Sequence, residues 1–153
     1  MTEAPRKLLW KAGEIEAQAR PFKQSLNPNS ALLRTGLSRL AGLARAHVSL
    51  GRVPPGKDSF AYHAHTAEEE WVYILSGRAI ADVDGQSYEV GPGDFIGFPT
   101  PGIAHLLRNP FDADLVYLMG GEAVPLDVLE LSYARQALSV GLRQGAAGLL
   151  RAW

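Results

Sequence analysis

The sequence predicts an all-β protein whose strands close into a barrel or a pair of packed sheets. Eight short runs rich in β-branched and aromatic residues recur between about Ala44 and Glu122. Turn signals built from Gly, Pro, Asp and Ser separate them at close spacing, the pattern of an antiparallel sandwich or barrel. The chain has 153 residues, 46% hydrophobic and 20% charged, which is the size of one domain and enough apolar material for one core. Intrinsic disorder is excluded for most of the length.

Taken in order, residues 1–43 read as an N-terminal extension packed on the barrel. Leu8 to Ala19 has helix-like spacing, Pro21, Asn27, Pro28 and Asn29 break it, and Ser30 is placed to cap a short helix from Ala31. Residues 44–122 form the barrel, with strands expected at His47–Val53, Ser59–His65, Glu70–Leu75, Arg78–Val83, Gln86–Val90, Phe95–Phe98, His105–Arg108 and Leu115–Met119. Pro54-Pro55-Gly56, Ser76-Gly77, Asp84-Gly85, Gly91-Pro92-Gly93-Asp94 and Pro101-Gly102 are the turns, and Asp84-Gly85 is the pair a type I′ hairpin favours. Residues 123–153 read as a partly helical C-terminal tail, because Leu131, Ala134, Leu138 and Leu142 recur at helical spacing. Gly141, Gly145 and Gly148 each weaken that helix by about 1 kcal/mol relative to Ala. Docking on its own barrel or on a sister subunit is the favoured role for this tail over a membrane contact.

Composition closes off several function classes. Fifteen Lys and Arg against sixteen Asp and Glu give a formal charge of -1, so no summed positive field exists to hold a phosphate backbone or an anionic lipid surface. No nucleic acid and no membrane partner is therefore expected. The 43-residue extension is too short and too neutral for a helix-turn-helix domain. With no cysteine there is no disulfide, no thiolate metal site and no cysteine nucleophile, so any metal must sit on nitrogen and oxygen. No apolar run approaches the roughly 18 residues of a membrane-spanning helix. Leu8, Leu9 and Trp10 are interrupted by Lys11, Glu14 and Glu16 too soon for a secretion signal, so a cytoplasmic location is expected.

Three of the four histidines make chemical sense together. His63 and His65 lie two apart in an expected strand, where side chains at i and i+2 share a face, so both imidazoles converge on one point. Glu70 opens the next strand, expected to neighbour the first, and His105 follows a Pro and Gly rich turn. Taken alone, a His-x-His pair reads equally well as two strand residues with no metal.

Two longer stretches carry more. The first runs from Gly56 through His63-Ala64-His65 to Glu70 and Gly77, and the second from Gly93-Asp94-Phe95-Ile96-Gly97-Phe98-Pro99 through Gly102 to His105 and Asn109. Fifteen residues separate Gly77 from Gly93. This pair of motifs resembles those of the cupin superfamily, of the small bacterial single-domain type. It departs from the pattern by one extra residue between Gly56 and His63 and one between Pro99 and Gly102. The resemblance covers about Ala44 to Glu122 and extends loosely to small cupins of sugar-isomerase-like label.

That resemblance implies a double-stranded β-helix, jelly-roll-like barrel in which His63, His65, Glu70 and His105 bind one divalent transition metal. Three imidazoles and a carboxylate suit Fe, Mn, Ni, Cu or Zn, with one or two positions left open. Glu68 and Glu69 then read as solvated turn residues, and Arg108 and Asn109 as structural. The implied function is a small metalloenzyme of oxygenase, isomerase or lyase type acting on a small oxygen-rich metabolite, with dioxygenase or isomerase chemistry favoured. The alternative is a non-catalytic cupin that binds a sugar or other metabolite, since the fold hosts both. No catalytic residue is nominated. His47, Arg52 and Tyr117 are the candidates for substrate contact, with a plain packing role favoured for His47. If the ligands face inward, Tyr62, Trp71 and Tyr73 face outward, and a homodimer is expected to cover them.

Overall fold

The computed structural model describes residues 7–125 and 127–131. Two antiparallel sheets face one another around a single core. The first has the order β1 (Arg20–Phe22), β2 (Leu32–Gly36), β3 (Ala46–Val53), β10 (Leu115–Glu122), β5 (Glu70–Ser76), β8 (Phe95–Phe98). The second has the order β11 (Leu129–Leu131), β4 (His63–His65), β9 (His105–Arg108), β6 (Ala79–Val83), β7 (Gln86–Val90). The all-β barrel expected from the turn spacing, in the jelly-roll-like form that the resemblance implies, is what the chain adopts. Among the described residues no helix is long and apolar enough to cross a membrane.

All eight expected strands are present, and local chemistry explains their limits. Asp84 and Gly85 both have positive φ, 47° and 79°, which is the type I′ geometry that joins β6 to β7. Gly77, at φ 76°, ends β5 where an added Cβ would stand 2.1 Å from the Asp114 carbonyl oxygen, so no side chain fits there. Inward positions alternate along β3 and through the first half of β5, and Val53, Val72, Ile74, Ala81, Leu107 and Leu115 meet between the sheets. Arg108 and Asn109 serve this scaffold. Arg108 donates from Nε and one terminal nitrogen to buried Asp82 at 2.6 and 3.1 Å, and Asn109 Nδ2 donates to the carbonyls of Val53 and Ala113.

Three local expectations change. The run from Ser59 is strand only over His63–His65, because its first half is bound by the N-terminal segment instead. Asn27 Nδ2 donates to the Phe60 carbonyl at 2.6 Å and to Asp58 at 3.0 Å, and Ser30 bridges to Asp58. The helix expected from Ala31 is a strand, β2, because its alternating side chains complete the edge of the first sheet: Leu32 and Arg34 point into the barrel and Leu33 points out. A true second helix, α2, follows at Leu37–Ala41, while the first, α1, spans Ala12–Ala17 within the segment where helical spacing was seen. Finally, the described start of the C-terminal segment carries a strand, β11, which pairs with β4. The expected tail helix beyond Leu131 lies outside the described residues.

Candidate metal centre

The two sheets bring the four motif residues to one point. His63 and His65 project from β4 on the same face, and His105 of β9 pairs directly across from His63. Glu70 does not come from a neighbouring strand. Strand β5 belongs to the opposite sheet, so the carboxylate reaches the imidazoles across the barrel. The extra residue between Pro99 and Gly102 is absorbed in the turn and leaves this register intact.

All four side chains are buried, at 6 to 8% exposure. His63 Nε2 and His65 Nε2 lie 3.2 Å apart, and Glu70 Oε2 lies 2.9 Å from His65 Nε2 and 3.1 Å from His105 Nε2. Two donors bound at about 2.1 Å in adjacent positions of an octahedral ion are separated by about 3 Å. The nitrogen and oxygen donor set therefore fits a divalent transition metal in kind and in spacing. One donor atom from each residue lies within 4.8 Å of the others.

Each imidazole is aimed by its other nitrogen. Nδ1 of His63 is 2.8 Å from the Ala61 carbonyl, Nδ1 of His105 is 3.0 Å from the Ile103 carbonyl, and Nδ1 of His65 is 2.5 Å from Asp127 Oδ2. An acceptor at Nδ1 keeps a proton on that nitrogen and aims Nε2 at the centre. Ring contacts add stiffness: Phe98 stacks on His105 at 3.7 Å and Phe60 lies against His63 at 4.6 Å.

The electrostatics divide the histidines. Burial, reinforced by the charge of His105, pushes His63 down to about 3, so it stands neutral. Burial also works against a charge on His65, but the Glu70 hydrogen bond and charge, with the Asp127 bond, raise it to about 9. Glu70 is held well below the carboxylate range: its burial is outweighed by the hydrogen bonds from His105 and His65.

Two residues near the centre were not foreseen in these roles. Glu68, expected in solvent, is 1% exposed and contacts His47. It turns inward because Gly121 on the opposing strand leaves the space; a Cβ there would meet His47 Nε2 at 2.7 Å and Glu68 Oε1 at 2.8 Å. Only Glu69 of the acidic turn is exposed. Asp127 comes from the segment read as tail. The alternation Leu129-Glu130-Leu131 was the one signal for the strand that delivers it.

A cavity of about 280 Å³ opens beside these four residues. Its walls carry Arg34, Lys23, Gln24 and Ser59 among apolar side chains such as Val72, Leu107 and Leu129. Of the candidates for substrate contact, Tyr117 is on this wall, 2% exposed and hydrogen-bonded to Ser59. Burial and the nearby Glu70 charge push its hydroxyl up, so it stays protonated. Arg52 is on the outer face of β3, bound to Asp114 at 3.4 Å and Glu16 at 3.5 Å, and is not brought to the cavity. His47 packs behind this cluster at 7% exposure, where burial lowers its affinity for a proton.

Comparison with known proteins agrees with this architecture. The family model described as Cupin domain matches residues 49–121. A protein from Acidithiobacillus ferrooxidans named "Putative sugar phosphate isomerase" is 36% identical, with a TM-score of 0.79 over 86% of this chain and 83% of its own. A sugar phosphate isomerase of the cupin superfamily from Silicibacter pomeroyi is 25% identical, with a TM-score of 0.67 over 76% of this chain and 79% of its own. A cupin 2 conserved barrel domain protein from Rhodopseudomonas palustris, 24% identical with a TM-score of 0.63 over 80% of this chain and 81% of its own, shares the fold. An uncharacterized protein of Methanocaldococcus jannaschii is 36% identical over 81 residues, 53% of this chain. The chain spans about half, 54%, of that relative's length.

Proposed function

We propose that this chain, which belongs to the cupin family, holds one divalent transition metal on His63, His65, Glu70 and His105 and there acts on a small, oxygen-rich, anionic metabolite. The observation that carries this reading is the convergence of four buried donors beside a cavity of about 280 Å³, small enough to enclose a metabolite. When bound, the ion supplies a Lewis acid for charge developing on a substrate oxygen.

The chain's own residues define the rest. Arg34 and Lys23 on the wall favour a ligand with negative charge. The Tyr117 hydroxyl, kept protonated, holds a hydrogen for a substrate oxygen. Val72, Leu107 and Leu129 limit water around the reacting atoms. The names of the relatives at 36% and 25% identity favour isomerisation of a phosphorylated sugar over oxygenase or lyase chemistry.

The test combines metal content with turnover. Purified protein should carry, or take up on dialysis, close to one ion of Fe, Mn, Ni, Cu or Zn per chain. The loaded protein, incubated with a panel of aldose and ketose phosphates in deuterium oxide, should exchange the hydrogen next to the carbonyl, at C2 of an aldose and C1 of a ketose, followed by proton NMR. The His63→Ala, His65→Ala double variant should lose both ion and exchange. Stoichiometric metal with ligand binding but no exchange or other conversion would assign the site to binding alone, and no metal at all would overturn the reading.

A further inference from the structure

The three histidines of the centre are aimed in two different ways, and the difference singles out one residue. His63 and His105 each use a backbone carbonyl two residues before them in the chain, Ala61 and Ile103. These acceptors are local and belong to the same strand entry as the ligand itself. His65 instead uses a side chain 62 positions away, Asp127, whose Oδ2 is 2.5 Å from Nδ1. A carboxylate is a stronger acceptor than a carbonyl, and in this position it both fixes the tautomer and enriches the ring's donor nitrogen.

The carboxylate is itself held in place from several directions. Its second oxygen, Oδ1, accepts the backbone N–H of Ala67 at 2.9 Å and of Glu68 at 3.4 Å, and the Thr66 hydroxyl at 3.4 Å. Immediately after it the chain enters β11: Thr66 N–H donates to the Val128 carbonyl at 3.2 Å, Val128 N–H donates to Thr66 Oγ1 at 3.2 Å, and Leu129 pairs with His65. Both oxygens of Asp127 are therefore committed, one to the turn between β4 and β5 and one to His65.

We propose that Asp127 is a positioning residue for the metal centre: it holds the proton on His65 Nδ1 and so presents the Nε2 lone pair to the ion. This rests on the reading of His63, His65, Glu70 and His105 as a metal site. Asp127 does not touch the ion. The segment after the barrel, through its strand β11, is thereby part of the functional unit.

Asparagine is the informative substitution, because it is nearly isosteric but has one acceptor oxygen where aspartate has two. If that oxygen keeps the turn, the amide NH₂ faces His65 Nδ1, makes it an acceptor and moves the proton to Nε2, where the metal should bind. Asp127→Asn is expected to weaken Zn(II) and Mn(II) binding 10- to 100-fold in a competition titration against a chromophoric chelator. Thr66→Val, which disturbs the docking of the same turn without touching His65, should leave affinity within about threefold. In ¹⁵N-histidine-labelled, Zn-loaded wild type, His65 should show a protonated Nδ1 and a metal-bound Nε2. In the asparagine variant that signature should be lost, while the melting temperature of the metal-free protein shows that the fold survives.

Equal metal affinity in wild type and Asp127→Asn would overturn the role, as would a loss in Thr66→Val as large as that in Asp127→Asn, which would reduce Asp127 to a turn support. Two ions per chain, the second lost in Asp127→Asn, would also overturn it, since His65, Glu68 and Asp127 have ligand atoms within 4.8 Å of one another and Asp127 would then be a ligand. A wild type that takes up no ion overturns the site itself, an outcome distinct from one ion bound equally well with and without the carboxylate.

Discussion

Titrating metal into the protein at a series of pH values tests the electrostatics of the centre directly. In the metal-free protein His65 sits between Glu70 and Asp127 and keeps its proton up to about pH 9. Glu70 is already ionised and His63, pushed down to about 3, is already neutral, so neither has a proton to release near neutrality. An ion can take its place only if His65 gives up the proton on Nε2. At pH 7 that lies two units below the His65 value and costs about 3 kcal/mol, or about 100-fold in apparent affinity relative to pH above 9. Apparent affinity should rise by about one decade per pH unit between about 7 and 9 and then level off. An ordinary histidine site would level off above about 6.5. Chelator competition across pH 6.5 to 10 gives the slope. Calorimetry in two buffers of different ionisation enthalpy gives the proton count, expected near one per ion at pH 7. A flat affinity above pH 7, or fewer than about 0.3 protons released, would refute the assignment of that proton to His65.

Stability of the metal-free protein should carry the same signature: with its folded value raised to about 9 above an ordinary 6.5, His65 stabilises fully below about pH 6.5. That contribution, about 3 kcal/mol, disappears as pH rises through 9, so the melting temperature falls over that window without metal and less with it. Glu68→Gln, which leaves His47 without its buried carboxylate, should lower stability by about 3 kcal/mol in urea denaturation, whereas Glu69→Gln at an exposed position should stay within about 0.5 kcal/mol. Gly51→Ala places a Cβ 2.7 Å from Tyr117 Cζ. It should cost about 1 to 3 kcal/mol and push the ring into the cavity, read as weaker binding of any ligand found by the exchange panel. Tyr73, Leu75 and Phe95 are 39%, 43% and 64% exposed on β5 and β8, with Trp71 packed beside Phe95; a second copy of the chain is the expected cover. Light scattering should then give a dimer that Phe95→Asp converts to monomer, and a wild-type monomer at micromolar concentration would remove the idea. Tyr62 takes no part in that face, since it is 8% exposed and its hydroxyl accepts the Gly85 N–H at 2.8 Å.

The barrel strands and the four clustered residues were legible in the sequence because their signals are local. A hairpin announces itself in two residues, Asp84 and Gly85, and a pair of imidazoles on one face follows from a separation of two. Strands β1, β2 and β11 were not legible as strands. They are three to five residues long, too short for periodicity to separate from helix or loop, and they become strands only because an edge of the barrel supplies their hydrogen bonds.

By itself, then, the sequence determined that this chain is a β-barrel carrying His63, His65, Glu70 and His105 in family spacing, and that no thiolate takes part. Tertiary structure alone decided that Glu70 approaches from the opposite sheet, that Glu68 is buried while its neighbour Glu69 is not, and that Asp127 stands behind His65. It also decided that Tyr117 faces the cavity while Arg52 does not. The physical reason is common to all of these. Burial, charge and proton position depend on which groups from distant segments meet in a low-dielectric interior, and Asp127 meets His65 across 62 residues of chain through a strand pairing that no local pattern specifies.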